Sequence, residues 1–438
     1  MKIAFRPKLL DCLPGYNRAQ FGKDLASGIT VGVLALPLAM AFAIASGVSP
    51  TAGIWTAIVA GFLTAALGGS RVQIGGPTGA FIPIIYGIVA MHGFVNLLGA
   101  TMLAGFFLLA MGLARMGQLI RFIPVTVVIG FTNGIAVVIF LAQLKDFFGL
   151  QIDNLPAEFF HRIKTLAAYA HTVDLPTLGL ASACFVFLLS YNKLAQKIAI
   201  LRRAPGPLAV LVVGTLVSFL FELPVETIGS RFNGIPQEMP DFGLPALSIH
   251  DLGKLISPAI TIALLGAIES LLSARVADSQ IDDRHDPNQE LVAQGLSNIA
   301  APLFGGFAAT GAIARTTTNV KTGGRTPIAG IIHAVVLLGI VLLAAPLAAY
   351  VPLATLSAIV MVVAINMGEW HEFAELKRYS YNYRIILLST FLVTVLFDLT
   401  IAVELGMVLA SLFFIYRMSE LTKIERLPMD EEAHDPRF

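Results

Sequence analysis

Residues 75–91 read GGPTGAFIPIIYGIVAM, and residues 305–322 read GGFAATGAIARTTTNVKT. Each stretch is a short apolar piece that contains or follows a glycine pair. Neither piece has the roughly 20 apolar residues that a helix needs to cross a bilayer. Irregular backbone is tolerated at membrane depth only where it is buried in protein or lines a cavity. The two stretches therefore predict a pair of half-helices that meet inside a membrane-embedded fold.

The composition of the whole chain places these segments in a membrane. Charged residues make up 13% of the 438 residues and hydrophobic residues 56%, whereas soluble domains carry about 25% charged residues. Arg71 is the only charge in residues 25–114, and residues 326–368 carry none. A soluble enzyme and a disordered scaffold are excluded, and a net charge of +1 offers no basic surface for nucleic acid. We expect an all-α polytopic membrane protein that is not an enzyme and needs no cofactor.

Apolar runs between charge clusters and Pro/Gly punctuation predict twelve full spans. They lie at 25–46, 50–68, 94–114, 120–142, 175–191, 205–221, 255–277, 288–304, 326–347, 351–367, 385–399 and 401–416. The two short segments, 77–91 and 311–322, raise the total to fourteen, which divides into two sevens near the polar residues 223–254. Halves with seven spans insert in opposite orientations, so the pattern predicts a 7+7 inverted repeat. A matched pair of short spans in such a repeat points to a transporter substrate site.

The distribution of positive charges predicts the orientation. Of the 29 Lys and Arg residues, 23 fall on the side of the N-terminus and five on the opposite side, with Arg315 inside a short span. Short cytoplasmic loops collect Lys and Arg, so we expect both termini in the cytoplasm and the protein in the plasma (inner) membrane. The first 24 residues lack the short apolar core of a signal peptide.

The two half-helices carry residues suited to an anion. Pro77 after the glycine pair is interpreted as the first helical residue, with Thr78 behind it. Free N–H groups at a helix N-terminus attract anions, and Arg315 in the second segment would add a full positive charge. Two alternatives stay open, because glycines also permit close helix packing and Arg315 could instead extend toward the cytoplasm beside Lys321.

Glu269 is interpreted as the one carboxylate well inside a span. A carboxylate in such a place is protonated, paired or bound to a cation. Ser273 follows four residues later on the same helical face. Glu269 is therefore a candidate for coupling to a proton or to sodium, and a structural hydrogen bond is the alternative. The histidines are scattered without the spacing of metal ligands, so no metal site is expected.

Several motifs together resemble the SulP anion transporters, also called solute carrier family 26, from Asp11 to about Arg417. They are Asp24-Leu-Ala-Ser-Gly-Ile-Thr-Val-Gly, Gly68-Gly-Ser-Arg71, Gly76-Pro-Thr78, Gly266-Ala-Ile-Glu-Ser-Leu-Leu, and Ala314-Arg315 leading to Asn319 and Gly323-Gly-Arg-Thr-Pro327. The resemblance implies the inverted-repeat fold shared with uracil and borate transporters. After a cytoplasmic segment 1–24, a core domain (25–118 and 255–347) would slide against a gate domain (119–222 and 351–417). It also implies a homodimer.

The resemblance implies the site residues by motif position. Substrate-binding roles fall on Phe42, Thr78, Ala80, Ala312, Ile313 and Arg315, and coupling-ion roles on Glu269 and Ser273. Many relatives carry Gln after the first-helix proline, whereas Leu38 stands here; with Asn366-Met367 this looks like the bacterial C4-dicarboxylate branch. Family members usually continue into a cytoplasmic STAS domain. Residues 418–438 are too few for one, so we expect it to be absent here, either because it was removed or because this member lacks it.

The leading hypothesis is a secondary active transporter of a small anion, namely a dicarboxylate, sulfate or bicarbonate. It would work by an elevator-type alternating-access mechanism, as a proton symporter. Alternatives on the same fold are a sodium-coupled symporter, an anion exchanger and an anion channel. A major-facilitator transporter would have twelve full spans in parallel halves, which the paired short spans disfavour. A non-transporting scaffold would not need Glu269 and Arg315 in apolar spans.

Overall fold

The computed structural model describes residues 5–118, 125–152, 155–197, 205–237, 240, 242–246, 249–397, 408 and 411–412. The predicted span 401–416 falls almost wholly outside the described residues. The predicted tail 418–438 falls outside them entirely.

The first half of the chain is helical with one very short strand. Its elements are α1 (Lys8–Cys12), α2 (Arg18–Ala45), α3 (Pro50–Leu67), β1 (Gly75–Gly76), α4 (Ile82–Leu113), α5 (Val125–Phe148), α6 (Phe159–Ala168), α7 (Leu175–Lys197), α8 (Gly206–Leu220) and α9 (Ile228–Phe232). Single 3₁₀ turns lie at Gly79–Phe81, Met116–Gln118 and Ala170–Thr172.

The second half is also helical with one very short strand. Its elements are α10 (Ile249–Ile281), α11 (Pro287–Ala300), β2 (Thr310–Gly311), α12 (Ile313–Lys321), α13 (Pro327–Ala348), α14 (Leu353–Met367), α15 (Trp370–Ala374) and α16 (Tyr381–Leu396), with 3₁₀ turns at Ala301–Phe304 and Leu376–Arg378. Each predicted span except 401–416 therefore overlaps a helix.

Polar caps explain several helix starts. The side chains of Asn17, Ser49, Asp286 and Thr326 accept hydrogen bonds from the first-turn N–H groups of α2, α3, α11 and α13. In the last three helices a proline follows the cap, where its missing N–H costs nothing. These are local signals, so the sequence could predict these starts to within a few residues.

The predicted boundary between the first half-helix and the next span is a kink within one helix. The short segment 77–91 and the span 94–114 are joined in α4, which is interrupted by a non-helical residue, Gly93, with φ +80° and ψ 171°. Glycine is favoured there because a positive φ is costly for residues with a Cβ. The half-helix and the next span are therefore two arms of one kinked element.

The described helices pack as two sets. In the first set, α4 packs against α10 and α11, and α13 packs against α2 and α3. In the second set, α5 packs against α14 and α16, and α7 packs against α14. We call these the first and second helix sets. The division into a core and a gate, and any movement between them, stay predictions.

The apolar surface matches a multi-pass membrane protein. Among the described residues, six helices are long and apolar enough to cross a membrane, at Arg18–Ala45, Pro50–Leu67, Gly79–Leu113, Val125–Phe148, Gly253–Ile281 and Pro327–Ala348. Four shorter apolar helices accompany them. Large apolar side chains such as Leu343 and Phe219 are exposed, as contact with lipid requires. The count of fourteen and the repeat symmetry stay predictions.

Candidate functional site

The two glycine-rich stretches meet through their backbones. Strands β1 and β2 pair antiparallel, with Gly75 opposite Gly311 and Gly76 opposite Thr310. The N–H of Ala312 donates to the carbonyl of Ile74 at 2.8 Å and extends the pairing. Backbone groups at membrane depth must be satisfied internally. The strand pair satisfies these backbone groups where the two segments are not helical.

The predicted helix start at Pro77 is wrong. Thr78 is extended (φ −125°, ψ 158°), a 3₁₀ turn begins at Gly79, and α4 follows with Pro83 in its first turn. The reason is that residues 74–76 are held in extended pairing, so the chain needs Pro77 and Thr78 to turn into the helix. In the second half, α12 begins at Ile313 after Ala312 at its N-cap. Neither helix start has a side-chain cap, which leaves N–H groups available to a ligand.

Glycine is required at two positions of the strand pair, Gly76 and Gly311. Gly76 has φ +140°, and a Cβ built there would lie 2.7 Å from Nη1 of Arg315. A Cβ on Gly311 would overlap the side-chain amide of Gln73. Any other residue at these positions would push apart the strands or the side chains behind them.

Thr78 and Glu269 come together as a direct pair. The Thr78 hydroxyl donates to Oε2 of Glu269 at 2.9 Å. Ser273, one turn further along α10, instead donates to Oγ1 of Thr316 at 3.2 Å. The same Thr316 oxygen accepts the N–H of Ile74 at 3.0 Å. Glu269 therefore faces the first half-helix, while Ser273 braces the second against the strand.

Arg315 points into the protein. Its side chain is 2% exposed, and Nη2 donates to the carbonyl of Pro77 at 2.5 Å. Nη1 has no hydrogen-bond partner among the described residues. The alternative orientation toward Lys321 is thus not adopted. Arg315 joins the two half-helices and brings a buried positive charge that retains one unused donor.

Phe42 marks the boundary between the two helix sets. A Cβ built on Gly79 would lie 3.9 Å from the Phe42 ring, 3.8 Å from Cδ1 of Ile139 and 3.7 Å from Sδ of Met367. Phe42 belongs to α2, while Ile139 and Met367 belong to α5 and α14. The start of α4 therefore touches the second set through apolar atoms.

The remaining predicted site residues lie at the same helix starts but differ in exposure. Ala80 and Ala312 are buried, whereas Ile313 is 41% exposed. The structure thus brings Thr78, Glu269 and Arg315 into one polar group. Ile313 stands at its edge, and the binding roles of all these residues stay predictions.

A second buried carboxylate, which the sequence did not predict, lies in α11. Glu290 is fully buried in the first turn of α11, so Glu269 is not the only buried carboxylate. Its oxygens accept from the amide nitrogens of Gln73 at 2.9 Å and Gln294 at 3.1 Å, the Ser270 hydroxyl at 3.1 Å and the Gly69 N–H at 3.0 Å. The polar run Asn288-Gln-Glu290 was the available signal, but it lies at a predicted span boundary.

Asp24 forms a third buried acidic centre at the start of α2. It accepts from the Thr326 hydroxyl at 2.5 Å, the Arg325 N–H at 2.9 Å and the Tyr16 hydroxyl at 3.1 Å. Burial, followed by the negative charge of Asp24, raises the pKa of Tyr16 to about 12. These bonds tie the first helix to the chain that leaves the second half-helix.

Other polar features lie away from this group. A cavity of about 600 Å³ is lined by the ends of α5, α7 and α14, with Asp146 and Arg231 paired at 2.8 Å. In α15 and beside it, Glu369, His371 and Glu372 place possible metal-ligand atoms within 4.8 Å of one another. The sequence did not predict this group. The hydroxyls of Tyr379 and Tyr383 help to hold the pKa of Glu372 below its ordinary value.

Two broken helices joined by a strand pair, with uncapped N-termini beside a buried arginine and a carboxylate, define the class of membrane transport proteins built on discontinuous helices. The family model described as the Sulfate permease family matches residues 21–390. The chain belongs to that family, whose members are transporters and not enzymes.

Curated relatives cover most of the chain. YvdB of Bacillus subtilis is 46% identical over 427 residues, which is 96% of this chain and 79% of YvdB. The bicarbonate transporter BicA of Synechocystis is 35% identical over 409 residues, which is 91% of this chain and 70% of BicA. The BicA of Picosynechococcus is 31% identical over 421 residues.

Solved structures confirm the fold. The transmembrane domain of a cyanobacterial BicA superposes with a TM-score of 0.81 at 33% identity, covering 89% of this chain and 98% of that domain. The murine anion transporter Slc26a9 gives a TM-score of 0.84 at 20% identity, covering 95% of this chain and 73% of that protein. The mostly helical membrane fold and the predicted family are therefore confirmed.

Proposed function

We propose that this protein is a secondary active transporter of a small oxyanion, bound between the starts of α4 and α12. The observation that carries the proposal is the group formed by Thr78, Glu269 and Arg315 at two uncapped helix starts. Sulfate and bicarbonate are the leading substrates, since the name of YvdB refers to sulfate and that of BicA to bicarbonate. Leu38 and Asn366-Met367 add a C4-dicarboxylate as the third candidate.

Electrostatics favours an anion at this place. Each helix N-terminus is equivalent to roughly half a positive charge, and Arg315 contributes a full one. An ionised Glu269 would cancel about one unit of charge and repel an anion. A proton on Glu269 removes that repulsion, because like charges at short range in a low dielectric interact strongly. Binding of a divalent anion would therefore favour the protonated carboxyl, which is the logic of proton symport.

The packing supports movement of the site as a unit. The strand pair and the Arg315–Pro77 bond link the two half-helices, so both move together with α2, α3, α10, α11 and α13. Their boundary with α5 and α14 near Gly79 consists of Phe42, Ile139 and Met367. Apolar atoms can slide past one another without breaking hydrogen bonds. We infer an elevator-type alternating access of this core (25–118 and 255–347) against the gate (119–222 and 351–417).

A sodium-coupled symporter is the second candidate. Sodium would need hard oxygen ligands, and Glu269 and Ser273 lie one turn apart on α10. The Ser273 hydroxyl donates its hydrogen to Thr316, and its oxygen lone pairs would remain for a cation. An anion exchanger or an anion channel on the same fold would need neither a proton nor sodium.

The experiment is uptake by proteoliposomes of labelled sulfate, bicarbonate and succinate, with and without an inward pH gradient, and with choline replacing sodium. We expect acid outside to accelerate uptake of the true substrate and choline to have no effect. Glu269→Gln mimics the protonated form and should keep anion exchange while losing acceleration by the gradient. Glu158→Gln, an exposed carboxylate, is the matched control. A Glu269→Gln protein with the parent's gradient dependence would rule out Glu269 as the proton carrier.

We also propose that both termini face the cytoplasm and that the protein is a homodimer in the bacterial plasma membrane. The bias of Lys and Arg toward the N-terminal side supports the orientation. Labelling of an introduced cysteine near Phe5 from inside and outside cells would test it.

A further inference from the structure

A small folded segment between α5 and α7 contacts the first helix set near the end of α2. We call the described residues 149–152 and 155–173 the lid; it includes α6 and lies between α5 and α7 in the chain. Leu150, Ile152 and Leu155 form a buried apolar cluster in it, packed against Leu166 and Val173. Among the described residues, the lid thus has its own small core and belongs by chain connection to the second helix set.

Tyr86 of the first set reaches this lid. It lies on α4, two turns beyond the 3₁₀ turn that starts at Gly79, and so between Thr78 and the lid. Its hydroxyl donates to the carbonyl of Leu155. On its other side the ring faces Gly47 at the end of α2, where a Cβ would lie 3.4 Å from the ring. Tyr86 is therefore held by the core and bonded to the lid.

Arg162 closes the contact from the lid side. Its side chain is 4% exposed, and its guanidinium carbon lies 5.6 Å from the centre of the Tyr86 ring. Nε and Nη2 donate to the lid carbonyls of Pro156 at 2.9 Å and Ala157 at 3.0 Å. Nη1 donates to Val138 of α5 at 3.4 Å. Arg162 is thus fixed to the lid and the gate, while its cationic face is presented to the core.

We propose that Tyr86, Arg162 and the Leu155 carbonyl form a latch between core and gate, which must open before the site can face the lid side. The proposal rests on the proposed alternating access. Near Gly79 the boundary is apolar, and sliding there breaks no polar contact. At the latch, the same movement must break a hydrogen bond and separate a buried cation from an aromatic ring. Tyr86 and Arg162 therefore help to set the equilibrium between the two access states.

The test measures that equilibrium directly, without an anion. Spin labels on Ala90→Cys in α4 and Lys164→Cys in α6, in a Cys12→Ser, Cys184→Ala background, report the distance between core and lid by pulsed electron paramagnetic resonance. Tyr86→Phe removes only the hydroxyl, so the long-distance population should rise about fivefold relative to the short-distance one. Tyr86→Leu also removes the ring and should raise the ratio further, to about thirtyfold.

Tyr350→Phe is the matched control, because Tyr350 is exposed and its ring packs against Phe219 of α8. Its distance distribution should equal that of the parent. A Tyr86→Leu protein with the parent's distribution would overturn the latch, even if anion uptake is normal. A graded shift in the two Tyr86 variants supports it. A parent protein that takes up no anion in the uptake assay would instead contradict the proposed transport, whatever the distances show.

Discussion

Replacing Thr78 by Val tests the link between the half-helix and the carboxylate. The substitution keeps the branched shape of the side chain and removes its hydroxyl. In the structure that hydroxyl donates to Oε2 of Glu269 at 2.9 Å. It therefore stabilises the ionised carboxylate relative to the protonated one. Without it, Glu269 should hold its proton up to a higher pH.

The size of the expected shift in pH dependence follows from the strength of the Thr78–Glu269 hydrogen bond. A hydrogen bond to a charged group contributes about 1.5–3 kcal/mol, and one pH unit corresponds to about 1.4 kcal/mol. The midpoint of acid-stimulated uptake should thus move upward by about 1–2 pH units. The expected direction follows from this donor role, because removing a donor to the charged form disfavours that form.

The assay is initial uptake of labelled substrate over a series of external pH values at fixed internal pH. Thr132→Val is the control, since its hydroxyl donates to a carbonyl of its own helix, that of Val128, at 2.7 Å. The control should keep the parent's midpoint. An unchanged midpoint in Thr78→Val would refute the reasoning. If KM rose about fivefold at the same time, the hydroxyl would contact the substrate instead of the coupling group.

Arg315→Gln should lower sulfate uptake at least tenfold and bicarbonate uptake less, because a divalent anion depends more on the one full positive charge; equal losses for both anions would contradict this. Gly76→Ala should lower the melting temperature in detergent by several degrees, since its Cβ would lie 2.7 Å from Arg315, whereas Gly87→Ala, with open space around it, should not. Glu290→Leu should cost about 3 kcal/mol of stability by leaving several donors without an acceptor, and a melting temperature like the parent's would show that the donors find other partners.

Much of the helical layout could be predicted from the sequence. Long charge-free runs and cap residues such as Ser49 and Asp286 act within a few residues, so they are visible in the chain itself. The family motifs predicted a shared site for Thr78, Glu269 and Arg315, and the structure places these residues near one another; their binding roles stay predictions. The start of the first half-helix was harder to predict, because Pro77 carries a strong local signal for a first helical residue.

What the sequence could not predict depends on contacts between distant segments. Pro77 is not helical because residues 74–76 pair with residues 310–312, and no local pattern reports that partner. Glu290 escaped notice because its burial depends on Gln73 and Ser270, both far away in the chain. The inward direction of Arg315 likewise follows from the Pro77 carbonyl and not from its own neighbours.

The pairing of β1 with β2 also has a consequence for biogenesis. Gly75 and Gly311 are 236 positions apart, and ribosomes add about 5–20 residues per second. The first strand must therefore wait roughly 10–50 s for its partner to be made. During that time its N–H and C=O groups have no mate in the bilayer, where unpaired backbone is costly. The first half of the chain should consequently remain only partly inserted, or bound by a chaperone, until the second half emerges.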